Sequence, residues 1–133
     1  MEYTFKVGEH TITMKIKKSE KCTKWGGLRD RYVIGTKIDE CRSFDIIFHN
    51  SIANLGKPLK KTDFIHILDC HISDAVAGDN SVNLADFMDE FGYDESNKTE
   101  ARTAYHGCIN ACKKYKDRDI DFYELGELVR EMM

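Results

Sequence analysis

The spacing of apolar residues changes near the middle of the chain. Tyr3, Phe5 and Val7 alternate with Thr4 and Lys6, Gly8-Glu9-His10 can turn the chain, and Ile12, Met14 and Ile16 then alternate with Thr11, Thr13, Lys15 and Lys17. A period of two, with one apolar and one lysine-rich face, predicts an antiparallel β-hairpin over residues 3–17. Residues 18–30 are polar around Trp25-Gly26-Gly27 and read as a loop. A third strand is expected from Arg31 to Ile38. A fourth runs from Ser43 to His49, where Phe44, Ile46 and Phe48 alternate and Ile47 interrupts the polarity. Asn50 to Lys61, with Gly56 and the only proline, Pro58, reads as a connection.

After the connection the period becomes helical. Thr62 can cap a helix from Asp63 to about Ala77, on which Phe64, Ile67, Leu68, Ile72, Ala75 and Val76 recur at helical spacing, and Gly78-Asp79-Asn80 should break it. Asn83 with Asp86 resembles a capping box for a short helix, 84–91, stopped by Gly92, with Phe87, Phe91 and Tyr93 as aromatic anchors. Asn97 with Glu100 opens a helix of about 98–115, burying Ala101, Ala104, Tyr105, Cys108, Ile109 and Cys112, and Gly107 within it marks close packing. Asp121 with Glu124 caps a last helix, Phe122 to Glu131. About four N-terminal strands followed by a four-helix C-terminal half is an α+β pattern.

A chain of 133 residues suits a single domain over 1–133, β-rich over 1–50 and helical over 62–133. No apolar run approaches the ~18 residues of a membrane span, and the first residues lack the basic start and apolar stretch of a signal peptide. The expected setting is therefore the cytoplasm, without membrane contact. The five cysteines, Cys22, Cys41, Cys70, Cys108 and Cys112, are then expected as reduced, mostly buried thiols. The net charge of −3 conceals an asymmetry: residues 1–38 carry nine Lys/Arg against four Asp/Glu, and the remainder eleven against nineteen. A basic start is joined to an acidic body.

The polar residues offer several kinds of site chemistry. Asp79-x-Ser81-Val82-Asn83-Leu84-x-Asp86 recurs as Asp117-x-Asp119-Ile120-Asp121-Phe122-x-Glu124, as the second half of a calcium loop would. Counting back from Glu124, however, puts Lys113 and Tyr115 at the first and third ligand positions and Arg118 where a glycine belongs. Two capped helix starts explain the repeat better. His66 and Cys70, and Cys108 and Cys112, are each four apart and could build a zinc site from two helices, but cysteine in an apolar stripe behaves as a small hydrophobe. No nucleophile elbow or phosphate loop is present, so neither a cofactor nor a catalytic residue is assigned and the chain does not read as an enzyme, a small nucleotide-cleaving enzyme being the third reading after the two binding roles below. Lys15, Lys17, Lys21, Lys24, Arg29 and Arg31, with Trp25 among them, could instead contact phosphates and stack a base. The plainer reading of these residues is a soluble sheet face.

From about Phe44 onward the chain resembles a family of small, largely uncharacterised proteins encoded by bacteriophages and prophages. The residues that carry the likeness are Gly56-Lys57-Pro58, Leu84-Ala85-Asp86-Phe87, Phe91-Gly92-Tyr93-Asp94 and Tyr105-His106-Gly107-Cys108, within roughly 44–116. Gly107 in place of alanine, an extra residue between Asp94 and Tyr105, and the helix after Asp119 depart from the family pattern. The resemblance implies a phage protein acting in the host bacterial cytoplasm and supplies no catalytic residues. It points to a stoichiometric, anti-CRISPR-like inhibitor of host defence that occludes a defence protein or ribonucleoprotein complex. The expected contacts are Asp86, Asp89 and Glu90 on the acidic helices, or the basic hairpin and Trp25. A nucleic-acid-binding accessory protein using that hairpin is the alternative.

Overall fold

The computed structural model describes residues 1–24 and 26–133; Trp25, one of the expected contact residues, lies outside the described residues. Four strands, β1 (Glu2–Val7), β2 (His10–Lys24), β3 (Gly27–Ile38) and β4 (Phe44–His49), precede four helices, α1 (Lys61–Asn80), α2 (Leu84–Phe91), α3 (Lys98–Lys116) and α4 (Phe122–Glu131). This is an α+β arrangement. The strands form one antiparallel sheet in the order β1-β2-β3-β4. By its internal contacts the chain divides into two compact units, Met1–Ile67 with Met132–Met133, and Leu68–Glu131.

In the first unit one sheet face buries Phe5, Val7, Ile12, Met14, Ile34, Ile38, Phe44 and Ile46. Leu59, Phe64 and Ile67 are buried in the same unit, and the Tyr3 ring meets the edge of Phe64 at 4.9 Å. Asp39, in the left-handed region at φ 53°, accepts from the Thr11 amide (2.9 Å) and lies 2.7 Å from His10 Nδ1, which ties the β3–β4 turn to the start of β2. Helix α1 starts at Lys61, so Thr62 lies inside its first turn; the carboxylate of Asp63 instead accepts from the Lys60 amide at 2.7 Å.

Within the loop expected over residues 18–30, residues 18–24 instead continue β2 and residues 27–30 begin β3. A bulge between Ile16 and Lys18 shifts the side-chain alternation by one residue, so the period-two signal stops while the strand does not. Beyond it, cross-strand pairing sets Glu20 opposite Arg31 and Lys21 opposite Asp30, and opposite charges side by side stabilise a ribbon that lacks an alternating apolar face. Asp30 is buried; it takes the Lys21 ammonium and the Gly56 amide (2.6 Å), and these two bonds hold its carboxyl below the usual range. Asp30→Ala is expected to speed amide exchange over 19–30 about tenfold relative to the rest of the sheet, as measured by hydrogen exchange.

In the second unit Leu68, Ile72, Ala75, Phe87, Ala101, Cys108, Ala111, Cys112, Tyr115, Phe122, Leu125 and Val129 are buried. The buried stripe of α3 therefore runs through Ala111 and Tyr115, and the expected core residues Ala104, Tyr105 and Ile109 are only half-buried. Three of the expected helix ends hold. Asn83 accepts from the Asp86 amide (2.9 Å), Gly92 closes α2 at φ 74°, and Asp121 accepts from the Glu124 amide (3.1 Å). The cap before α3 differs. Asp94 accepts from Ser96, the Asn97 side chain returns to the Asp94 amide, and Asn97 does not cap α3 itself.

Two glycines exchange the roles expected of them. Helix α1 continues through Gly78 to Asn80, because Gly78 is buried against the backbone of Cys108, where a Cβ would overlap the Cys108 carbonyl. Gly107, by contrast, is exposed with open space around it. The cysteines also divide differently: Cys108 and Cys112 are buried, Cys22 and Cys41 half-buried, and Cys70 exposed.

Candidate functional site

The contact of Gly78 with Cys108 brings α1 and α3 close together, and beside it opens a cleft of about 960 Å³. The cleft lies wholly within the helical unit. Asp74, one turn before Gly78, and Cys108 belong to its walls, and α2 supplies Asp86, Phe87, Asp89, Glu90 and Phe91. The local sequence of α2 explains this face. Residues 86, 89 and 90 fall on one helical stripe and 87 and 91 on the next, so acid and aromatic rows run side by side. Gly92 then reverses the chain, and the Tyr93 amide bonds the Met88 carbonyl (2.8 Å). This returns the Tyr93 ring over Phe87, with centroids 5.9 Å apart and planes within 17°.

Phe87 is the buried centre of the aromatic group, 4.8 Å from Phe91 and 5.4 Å from Tyr105 between ring centroids. Phe91, expected as an anchor of the helical core, is instead 51% exposed. A large apolar ring left half in water beside carboxylates is the informative kind of exposure.

Some carboxylates of the chain are paired and others are not. Asp30, Asp39, Asp45, Asp79 and Glu20 all face a Lys, Arg or His partner. Among the described residues, Asp74, Asp86, Asp89 and Glu90 have none. Asp86 sits in the first turn of α2, where the helix dipole favours an anion. Asp89 and Glu90 stand near the opposite, negative end, with no basic residue in the last turn. Helix stability alone favours the reverse placement. Partial desolvation of its carboxyl by the surrounding groups raises Asp74 above its usual range, although the residue as a whole is exposed.

The Cys108 thiol is pushed up to about 11, first by burial and then by the charge of Asp74. It is thus a protonated, weakly nucleophilic thiol at neutral pH, which gives no support to covalent chemistry in the cleft. Next to the cleft wall, Asp79 accepts from the Tyr123 hydroxyl (2.7 Å) and is paired with Lys116. The Lys116 bond, then that of Tyr123, lowers the Asp79 carboxyl, and Asp79 in turn pushes the Tyr123 phenol up to about 12. Asp79 thus serves a clamp between helices, and the repeated acidic pattern consists of helix starts capped by Asn83 and Asp121. Among the described residues no three His, Cys, Asp or Glu side chains are grouped to hold a metal ion, His66, Cys70, Cys108 and Cys112 included.

The described basic residues singled out from sequence lie along the β2–β3 ribbon of the first unit, where Lys17, Lys21 and Arg31 are paired with carboxylates. Lys17, at the bulge, bonds Asp45 (2.9 and 3.2 Å), and its stem lies over Gly35, where a Cβ would crowd it. Lys21 pairs with Asp30, and Arg31 with Glu20 at 2.8 Å. Arg29 donates to the carbonyls of Lys24 (3.1 Å) and Asn50 (3.4 Å). Lys15 is exposed, opposite Glu2 on one side and Gly35 on the other.

Sequence reasoning brought forward Asp86, Asp89 and Glu90, which the fold places along one cleft, but it missed Asp74 on the wall and read Cys108 as a core residue or zinc ligand rather than as part of the cleft. The one local signal for those two was Gly78 within a helical pattern, a residue that permits close helix approach. Among the described residues no helix is long and apolar enough to cross a membrane. No known protein family, curated protein or solved structure matches the chain.

Proposed function

We propose that this protein is a non-catalytic, phage-encoded inhibitor of a bacterial defence system, anti-CRISPR-like in its action. It works stoichiometrically in the host cytoplasm by binding a basic surface of a defence protein or ribonucleoprotein and occluding it. The observation that supports this reading is the cleft beside α2, where four carboxylates without ion-pair partners border an exposed aromatic ring. Uncompensated charge of one sign in a concave site attracts the opposite charge and speeds encounter with it. The phage setting comes from the resemblance over residues 44–116 and not from the cleft.

The test is capture by the tagged full-length protein from bacterial hosts carrying active defence systems. The expected result is a saturable complex with a defence component that blocks its nucleic-acid binding, lost when Asp89→Asn is combined with Glu90→Gln. Absence of any defence component from the captured proteins would sink the proposal. The nucleic-acid alternative is weakened by the ion pairs of Lys17, Lys21 and Arg31. Titration with single- and double-stranded DNA and RNA is accordingly expected to give at most weak binding. A steep salt dependence abolished by Lys15→Glu with Lys17→Glu would move the assignment to nucleic acid.

A further inference from the structure

We infer that β4 is a dimerisation edge, along which two copies of this chain join antiparallel with Ile47 on the two-fold axis, so that their sheets continue into one. The inference is independent of the inhibitor reading. In the order β1-β2-β3-β4, β4 has a strand on one side only. Antiparallel neighbours alternate between residue pairs that exchange both backbone bonds and pairs that exchange none. The Asn50 amide donates to the Asp30 carbonyl at 2.9 Å, which sets the phase of the β3–β4 ladder. Phe44, Ile46 and Phe48 therefore turn their amides and carbonyls to β3, and Asp45, Ile47 and His49 turn theirs away from the sheet. Among the described residues nothing bonds the Ile47 amide, and Ile47 is 44% exposed.

A second copy is the occupant this edge fits, because the strand is complementary to itself. One antiparallel register pairs all the outward residues: Ile47 meets Ile47, and Asp45 meets His49 of the second copy on both sides of the axis. A register centred on either end instead sets Asp45 against Asp45 or His49 against His49. His49 lies opposite Arg31 within the sheet, with Lys24 and Arg29 adding positive charge around it, so a carboxylate from outside answers the local field. Asp45 is held by Lys17 (2.9 Å), which reaches across β3 and fixes the carboxylate on the same sheet face as His49. On the core-facing side Ile46 meets Phe48, which is half-buried in one copy and stacked on Tyr32.

Sheet edges are usually blunted by lysine, proline or a bulge. The opposite edge follows that rule. The Ile16 amide bonds the Met1 carbonyl (3.0 Å), so the outward residues of β1 are Glu2, Thr4 and Lys6, polar or charged throughout. Phe44–His49 contains no lysine or proline and pairs with β3 without a register shift. An interface built on one short strand lies at the low end of interface sizes, so the dimer is a weak one.

Sedimentation equilibrium of the full-length protein between about 5 and 500 μM tests the edge, with Ile47→Lys, His49→Asp and, on the opposite edge, Thr4→Lys. The wild type is expected to show a monomer–dimer equilibrium in the micromolar range. Ile47→Lys brings two ammonium groups together on the axis and should weaken the dimer about tenfold or more. His49→Asp sets acid against acid twice and should do the same, and adding Asp45→His to it should recover most of the affinity. Thr4→Lys should change nothing. Amide exchange followed by NMR at the two ends of the concentration range reads the register in the wild type, and stands even where a variant fails to fold. The amides of Asp45, Ile47 and His49 should slow about tenfold on dimerisation, while those of Phe44, Ile46 and Phe48, already bonded to β3, should not. A monomer throughout the range, a dimer indifferent to Ile47→Lys or weakened by Thr4→Lys, or exchange that fails to slow at Ile47 would each overturn the inference.

Discussion

Lowering the pH from 7 to 4 is expected to remove about 3 kcal/mol of stability through one residue of the helical unit, His71. Its Nδ1 lies 2.8 Å from the hydroxyl of Tyr115, which is fully buried. Burial first, and then the charge of Lys114, lowers the His71 pKa to about 3. The unfolded chain takes up a proton near pH 6.5 and the folded protein does so only near 3, so between those values the unfolded state binds more protons. Stability is thus complete above about pH 6.5, falls as the pH drops through the window, and has lost about 5 kcal/mol once the pH passes below 3. That is a large share of the 5–15 kcal/mol typical of a domain, at roughly 1.4 kcal/mol per pH unit.

Neighbouring groups shape the curve without replacing it. Asp74, whose pKa is raised by burial, opposes the trend by favouring the folded state as it protonates. Asp79, whose pKa is lowered by Lys116 and Tyr123, adds to the loss, but only at the acid end of the window. His71→Asn places an amide near the position of Nδ1 and removes the titration. It should lower stability at pH 7 by about 1–2 kcal/mol and flatten the profile between about pH 6.5 and 4.5. Urea unfolding at half-unit pH intervals, followed by circular dichroism, measures both. A His71→Asn profile as steep as the wild type would show that other groups carry the acid sensitivity.

Much of the fold was readable where the chemistry is local. Gly8-Glu9 between two alternating runs, Asn83 three residues before Asp86, Gly92 after Phe91, and Asp121 before Glu124 each act within a few residues. Each does what its neighbours imply. What escaped depends on distant partners. The outer half of the β2–β3 ribbon carries no apolar alternation, and only the facing residues show that Lys21 meets Asp30 and Glu20 meets Arg31. The candidate site divides the same way. The acid row of α2 is visible as a spacing, whereas the place of Asp74 depends on how closely α1 approaches α3. Phe91 looked like a core anchor because its spacing from Phe87 is that of a buried stripe. Only packing shows that the stripe ends at Phe87.

That closeness makes Gly78→Ala the substitution with the clearest expected packing cost, with Gly107→Ala as its control. In an open helix both changes should stabilise the protein by up to about 1 kcal/mol, because alanine restricts the unfolded chain. A methyl added at Gly107 has no neighbour within 4 Å, so Gly107→Ala should realise that gain. At Gly78 the added methyl meets the carbonyl of Cys108 and the amide of Ile109, which are backbone and cannot rotate away as a side chain does. Helices α1 and α3 must then separate, which opens the packing around Ala75 and Cys108 and moves Asp74 away from α2. Gly78→Ala is expected to cost about 2–3 kcal/mol net, the usual range for overpacking, while Gly107→Ala raises the melting temperature by a few degrees. Gly126 provides an intermediate case, since its Cβ would meet a methyl of Ile72 at 2.9 Å, a side chain with some freedom to shift. Thermal and urea unfolding of the three variants should therefore rank Gly107→Ala above wild type, Gly126→Ala below it and Gly78→Ala lowest. Gly78→Ala should also weaken any ligand held between Asp74 and α2, in proportion to the displacement of α1. Equal stability of the Gly78 and Gly107 variants would mean that α1 and α3 do not meet at Cys108, and the cleft would lose the contact that shapes its wall.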